Sequence, residues 1–133
     1  MQVKEICDVV MKLYLYADNT KMIHYSTTGN HYHELCDKIR DCILSFADEL
    51  AEQAFGYYGK PSYNNFKLNQ NIKETNDLDA LCNNVLETIA YYRTELNKDD
   101  KMSGVVSLID DFKGKIGKLK FLSTFDKVAN AKR

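Results

Sequence analysis

Apolar residues recur at helical spacing in four separate stretches of the chain, and no stretch alternates strictly as a half-buried strand would. The first stretch sets Ile6, Val10, Leu13, Ala17 and His24 on one stripe. It closes at Thr27-Thr28-Gly29-Asn30, where glycine can end one helix and asparagine can cap the next. The second carries Leu35, Ile39, Cys42, Ile43, Phe46, Leu50 and Ala54 on its apolar face. Gly56, Gly59 and Pro61 then break the period, and the asparagine-rich run from Tyr63 reads as a loop holding a short helical turn.

A third stripe runs Leu78, Leu81, Cys82, Val85, Ile89, Tyr92 and Leu96. Asn76 stands where an N-cap belongs, with Asp77 and Asp79 complementing the helix dipole. Asn97-Lys-Asp-Asp-Lys interrupts the pattern, and Ser103 is placed to cap a fourth stripe of Val105, Leu108, Ile109, Phe112, Ile116, Leu119 and Leu122. The pattern predicts helices over about 3–28, 31–58, 76–97 and 103–125. Two helices, a link of roughly 17 residues and two more helices describe an all-α four-helix bundle in a single domain, 1–133. So long a middle connection is what a crossover between parallel neighbours requires, as in ferritin-like bundles.

Composition narrows the function classes. The 133 residues include 18 basic and 19 acidic side chains, for a net charge of −1. Such a chain lacks the broad positive field of non-specific nucleic-acid binders, so DNA binding is not expected. The basic stretch Lys127 to Arg133 reads as a solvated end rather than a nucleic-acid arm. No apolar run approaches the roughly 20 residues of a membrane span. The opening residues carry acids where a secretory signal has basic and then apolar ones, which predicts a cytoplasmic protein. Cys7, Cys36, Cys42 and Cys82 form no Cys-x-x-Cys pair, and Cys42 and Cys82 read as small buried hydrophobes, reduced in the cell.

The second helix carries polar residues that a core does not need. His33 and Asp37 are four residues apart, as are Asp48 and Glu52, so each pair projects from one side of the helix. Imidazole with carboxylate suits iron, manganese or zinc. His24 ends the first helix, and a tight turn brings it near His33. His31, two residues from His33, points elsewhere and reads as an exposed turn residue. His33 and Asp48 lie about 22 Å apart along the axis, so one metal centre cannot use both pairs from a single helix. Two copies packing their second helices antiparallel about a twofold axis would bring His33 and Asp37 of one chain to Asp48 and Glu52 of the other. No glutamate lies three residues before a histidine, which excludes an in-bundle di-iron site built on Glu-x-x-His.

The same residues have bland readings. His24 alone is a satisfied buried histidine, and Asp37 can be neutralised by Arg40 without any metal. The tyrosines, Tyr14, Tyr16, Tyr25 and Tyr92 among them, read as core-edge residues with wet hydroxyls. Tyr25, beside His24, is also placed to carry electrons near a metal.

Ile23-His-Tyr-Ser-Thr-Thr-Gly, His33-Glu-Leu-Cys-Asp37 and Asp48-Glu-Leu-Ala-Glu52-Gln together resemble the core signature of the Dps mini-ferritins. That family shows His-Trp, then His-x-x-x-Asp, then Asp-x-x-Ala-Glu-Arg. Small phage-encoded ferritin-like proteins are similar too, and Gly104 to Leu122 resembles their last helix more weakly. The sequence departs from the pattern at Tyr25 and Gln53, in a shorter step between His24 and His33, and in lacking a basic N-terminal tail.

The resemblance implies a ferritin-like subunit with ferroxidase-type iron sites shared across a twofold interface. Its ligands would be His24, His33 and Asp37 from one chain and Asp48 and Glu52 from its mate. Zinc or manganese are alternative metals, and a larger homo-oligomeric shell is the implied assembly. The competing reading is a helical-bundle interaction or virion protein with a protein partner, in host cytoplasm or virion, whose ligand pattern is structural.

Overall fold

The computed structural model describes residues 2–125, and the basic stretch from Lys127 to Arg133 lies outside them. Among the described residues there are four α-helices and no strand: α1 (Val3–Ser26), α2 (Asn30–Tyr58), α3 (Leu78–Leu96) and α4 (Ser103–Leu122). Single 3-10 turns at Tyr63–Asn65 and Asp100–Met102 punctuate the connections. No helix among the described residues is long and apolar enough to cross a membrane.

The helix ends differ in detail from the sequence expectation. Gly29, at φ 93°, occupies the N-cap of α2, and Asn30 is already helical. A positive φ turns the chain back within three residues without a Cβ clash, and the Gly29 carbonyl accepts the His33 N–H at 3.2 Å. Asp77 rather than Asn76 caps α3, its carboxylate accepting the Ala80 N–H at 3.0 Å. Ser103 is the first helical residue of α4 rather than its cap, because the Asp100–Met102 turn runs straight into it.

The predicted stripes meet in one core. Ile6, Leu13, Ile39, Ile43, Leu50, Leu81, Ile89, Ile109 and Ile116 are fully buried, and Phe46 stacks on Phe112 at 3.9 Å between α2 and α4. Each helix packs on two others: α1 on α2 and α3, α4 on α2 and α3. The helices joined by the long link, α2 and α3, therefore face each other diagonally across the core rather than side by side.

The link is held by side chains. Gln70 Nε2 donates to Asp8 Oδ1 at 2.9 Å, the Lys73 N–H reaches the Tyr16 hydroxyl at 3.3 Å, and Asn19 exchanges two hydrogen bonds with the Thr75 backbone. Its course thus follows α1 from Asp8 toward Asn19. Tyr16 is buried, contrary to the expectation of a wet hydroxyl. The Thr88 hydroxyl donates to the Asn84 carbonyl, so the Tyr16 hydroxyl donates to Thr88 and accepts from Lys73. A buried phenol is tolerated here because both its hydrogen-bonding roles are met.

Cys7, Cys36 and Cys82 are buried, Cys42 is half-buried, and all four are free. Burial, chiefly, pushes the Cys36 thiol up to about 11 and the Cys82 thiol up to about 12, which keeps both protonated and unreactive at neutral pH.

Candidate functional site

The first turn of α2 is where three chain segments meet. The short α1–α2 turn folds His24, in the last turn of α1, against His33 and Asp37 of α2. The end of α4 arrives from the other side: His31 Nε2 bonds the Leu122 carbonyl at 3.0 Å, and the Tyr32 hydroxyl donates to the Ser123 carbonyl at 2.8 Å. His31 is thus a clasp between α2 and α4, not the exposed turn residue its spacing suggested. No sequence signal marks this, because the partner carbonyl lies 91 residues away.

His24 is buried, with 5 % of its surface exposed. Its Nδ1 lies 2.9 Å from the His33 carbonyl oxygen, which can only accept, so Nδ1 carries the proton. In the neutral imidazole that leaves the lone pair on Nε2, the arrangement metal-binding histidines use when a backbone carbonyl fixes their tautomer. The His24 ring stacks on the exposed His33 ring, with centroids 3.7 Å apart and planes tilted by 32°.

Asp37 stands on the protonated side of His24. Its Oδ1 is 3.3 Å from Nδ1, and the Lys21 ammonium reaches the same oxygen, also at 3.3 Å. The Lys21 ammonium also lies over the exposed Tyr25 ring, 5.2 Å from its centroid, and Tyr25 sets its edge against His24 at 5.4 Å. Partial desolvation, the largest influence, pushes the Asp37 carboxyl up. The Lys21 hydrogen bond and the charges of His24, Lys21 and His33 outweigh it, so the net shift is downward.

Arg40 does not take the neutralising role its spacing offered. Its Nε is buried and, among the described residues, has no hydrogen-bond partner. Lys21 was the residue missed by the sequence reading. The available signal was its position one turn before His24, which puts both on the α1 face that meets α2.

Asp48 and Glu52 are placed differently. Both are exposed, well beyond reach of the histidines, and no hydrogen bond or ion pair among the described residues holds either one. Asp48 lies near Tyr14 of α1: burial chiefly pushes the Tyr14 hydroxyl up, and the Asp48 charge adds to it. Gln53 donates to Glu49 at 3.5 Å. The fold therefore brings together His24, His33 and Asp37 and leaves Asp48 and Glu52 apart, as the 15-residue step demands.

The residue types suit a transition-metal dication, but the single chain does not cage one. Asp37 faces the N–H side of His24 rather than its Nε2 lone pair. Accordingly, no group of three His, Cys, Asp or Glu side chains among the described residues is arranged to hold an ion. What the arrangement supplies is an oriented imidazole, a second imidazole against it, and a carboxylate already paired with a cation. No protein-family model, curated protein or solved structure matches the chain.

Proposed function

We propose that this chain is a Dps-like, ferritin-like subunit that binds iron at sites completed by a second copy. His24, His33 and Asp37 would come from one chain and Asp48 and Glu52 from the other. The supporting observation is that the candidate ligands divide between the α1–α2 corner and the middle of α2. Three candidates converge at the start of α2, with the His24 tautomer set by a carbonyl, while two carboxylates stand exposed and unpaired further along it. The course of the long link along α1 supports a ferritin-like connection. Bound iron would supply redox chemistry with oxygen or peroxide, and zinc or manganese suit the same donors. The chain's own part is to orient His24 through its Nδ1–H and to offer carboxylates from two subunits.

The test is metal analysis and solution mass of the full chain purified with added iron. The expected result is about one or two metal ions per chain in a species heavier than a monomer, with Asp48→Ala losing the metal and any iron oxidation at unchanged helix content. A metal-free monomer overturns the proposal.

The Lys21–Asp37 contact favours a second reading, because an ammonium already neutralises that carboxylate. In it the polar seam is structural, and the bundle serves as an interaction or virion protein through its exposed aromatics, Tyr25 among them. This reading expects thermal stability unchanged by chelator and a fully folded, metal-free protein.

A further inference from the structure

We propose that the groove between α2 and α4 binds a small organic ammonium, a compound with one positive amine on an apolar, aryl-sized body. The inference goes beyond the metal reading and shares no residue with it. His24, His33, Asp37, Asp48 and Glu52 all lie outside the lining of the groove.

The groove holds about 320 Å³. That is the lower end of the range for small-molecule sites, and more than the roughly 150 Å³ that accommodates one benzene ring. Its floor is apolar. Phe46 and Phe112 stack at 3.9 Å and are buried, and the half-buried Cys42 and Leu108 extend the same surface. Ser45 stands exposed at the mouth, one helical turn from both Asp41 and Glu49. Its side chain is too short to cover the floor beneath it, and a groove opens there. Cys42 adds no reactive thiolate. Burial, the largest influence, pushes its thiol up, the Lys115 charge opposes this and the Asp111 charge adds to it, so the thiol stays protonated at neutral pH.

The mouth sets the sign of the ligand. It carries three carboxylates, Asp41, Glu49 and Asp111, against one ammonium, Lys115. Lys115 is already engaged with Asp111, 3.2 Å away and one turn along α4. Asp41 has no hydrogen bond or ion pair among the described residues, and Glu49 accepts a long 3.5 Å bond from Gln53. The excess negative charge attracts a cation and repels an anion of the same shape.

These carboxylates are exposed, so an ionic contact alone holds little. The apolar body, laid on the floor, supplies the affinity, and the ammonium decides which charge is accepted. Asp41 and Glu49 stand about 12 Å apart along the helix axis, so one ammonium uses one end while its body lies along the floor. An inorganic cation gains nothing from such a floor, and an aromatic acid meets the wrong charge.

The experiment presents the full chain with three compounds of nearly equal shape: phenylpropylammonium, phenylpropanol and phenylpropanoate. Binding is measured by calorimetry and by ligand-detected nuclear magnetic resonance. The wild type should bind the ammonium about tenfold more tightly than the carboxylate, with the alcohol between them, and added salt should narrow that preference. The double variant Asp41→Asn, Glu49→Gln should bring the ammonium close to the alcohol at unchanged helix content. Ser45→Trp should fill the groove and weaken the ammonium and the alcohol by about tenfold or more, at unchanged solution mass.

Carboxylate binding as tight as ammonium binding in the wild type, or no binding of any compound, overturns the proposal. So does an ammonium preference untouched by the double variant, or ammonium binding that survives in a folded Ser45→Trp. A wild-type assembly that Ser45→Trp splits, with no compound bound, gives the groove to a second copy of the chain instead. The metal reading is decided separately, by metal content and Asp48→Ala.

Discussion

At the start of α2, His33 and Asp37 are tied to α1 through His24 and Lys21, and His31 and Tyr32 are tied to α4. Three turns further on, Asp48 and Glu52 project from the same helix into solvent with no partner among the described residues. The residue types are alike, and the difference lies in what packs around them. The first region sits at a corner where the α1–α2 turn meets the end of α4, so its polar groups have backbone carbonyls and a lysine within reach. The second sits mid-helix and exposed, near Tyr14 of α1 but with no hydrogen bond or ion pair to it among the described residues. A polar stripe can thus be a satisfied structural seam at one end and an unclaimed set of carboxylates at the other.

The sharpest way to break this contrast is at His24. Replacing it with alanine removes a buried ring, its bond to the His33 carbonyl and its stack on His33. The expected loss is about 2–4 kcal/mol, in the range of large-to-small core changes, read as a lowered denaturant midpoint. A loss below about 0.5 kcal/mol would mean that the α1–α2 corner is not the tightly held end.

Gly29→Ala should come next, at about 1–3 kcal/mol, because a Cβ is strained at φ 93° in the turn that sets His24 against His33. Helix content should survive while the melting temperature falls.

Acid tests the ion pairs of the first region without changing its packing. The Asp37 carboxyl is held below its usual range in the folded chain, so the unfolded chain takes up the proton first as pH falls. Its contribution is fully present above about pH 4 and is lost as pH drops through the folded value. Asp110 follows the same sign, lowered first by its hydrogen bond from Arg93, whose Nε lies 2.6 Å from Oδ1. Stability measured from pH 6 down to pH 2 should fall along this limb. Asp37→Asn and Asp110→Asn should each flatten it, and an unchanged slope in both variants would dismiss these pairs as contributors.

The smallest effect on stability belongs to Asp48 and Glu52. Each alanine variant should stay within about 0.5 kcal/mol of wild type, as exposed unpaired carboxylates do. Their effect should show in metal content and solution mass instead. A large loss of monomer stability would show that this end, too, has an internal partner.

Much of the bundle is legible in the sequence because the core stripes are local. Ile39, Ile43, Phe46 and Leu50 recur at helical spacing whatever they pack against, and Gly29, Gly59 and Pro61 mark connections through their own backbone preferences. Boundaries were less legible. Asp77 and Asn76 are both good caps, and the choice between them depended on which carboxylate could reach the Ala80 N–H. Tyr16 is the clearest failure of local reasoning, since its hydroxyl is satisfied from α3 and the link, 72 and 57 residues away.

For the candidate site, spacing alone separated His33 and Asp37 from Asp48 and Glu52, because helical rise is a property of the backbone. It also placed His24 beside His33 through the short turn. Only the tertiary structure decided that Lys21 rather than Arg40 pairs with Asp37, that His31 clasps α4, and that the His24 proton sits on Nδ1. Those facts depend on where a carbonyl or an ammonium from another segment arrives in space. Periodicity along one helix can say which side chains share a face, while the groups that neutralise them come from wherever the chain returns.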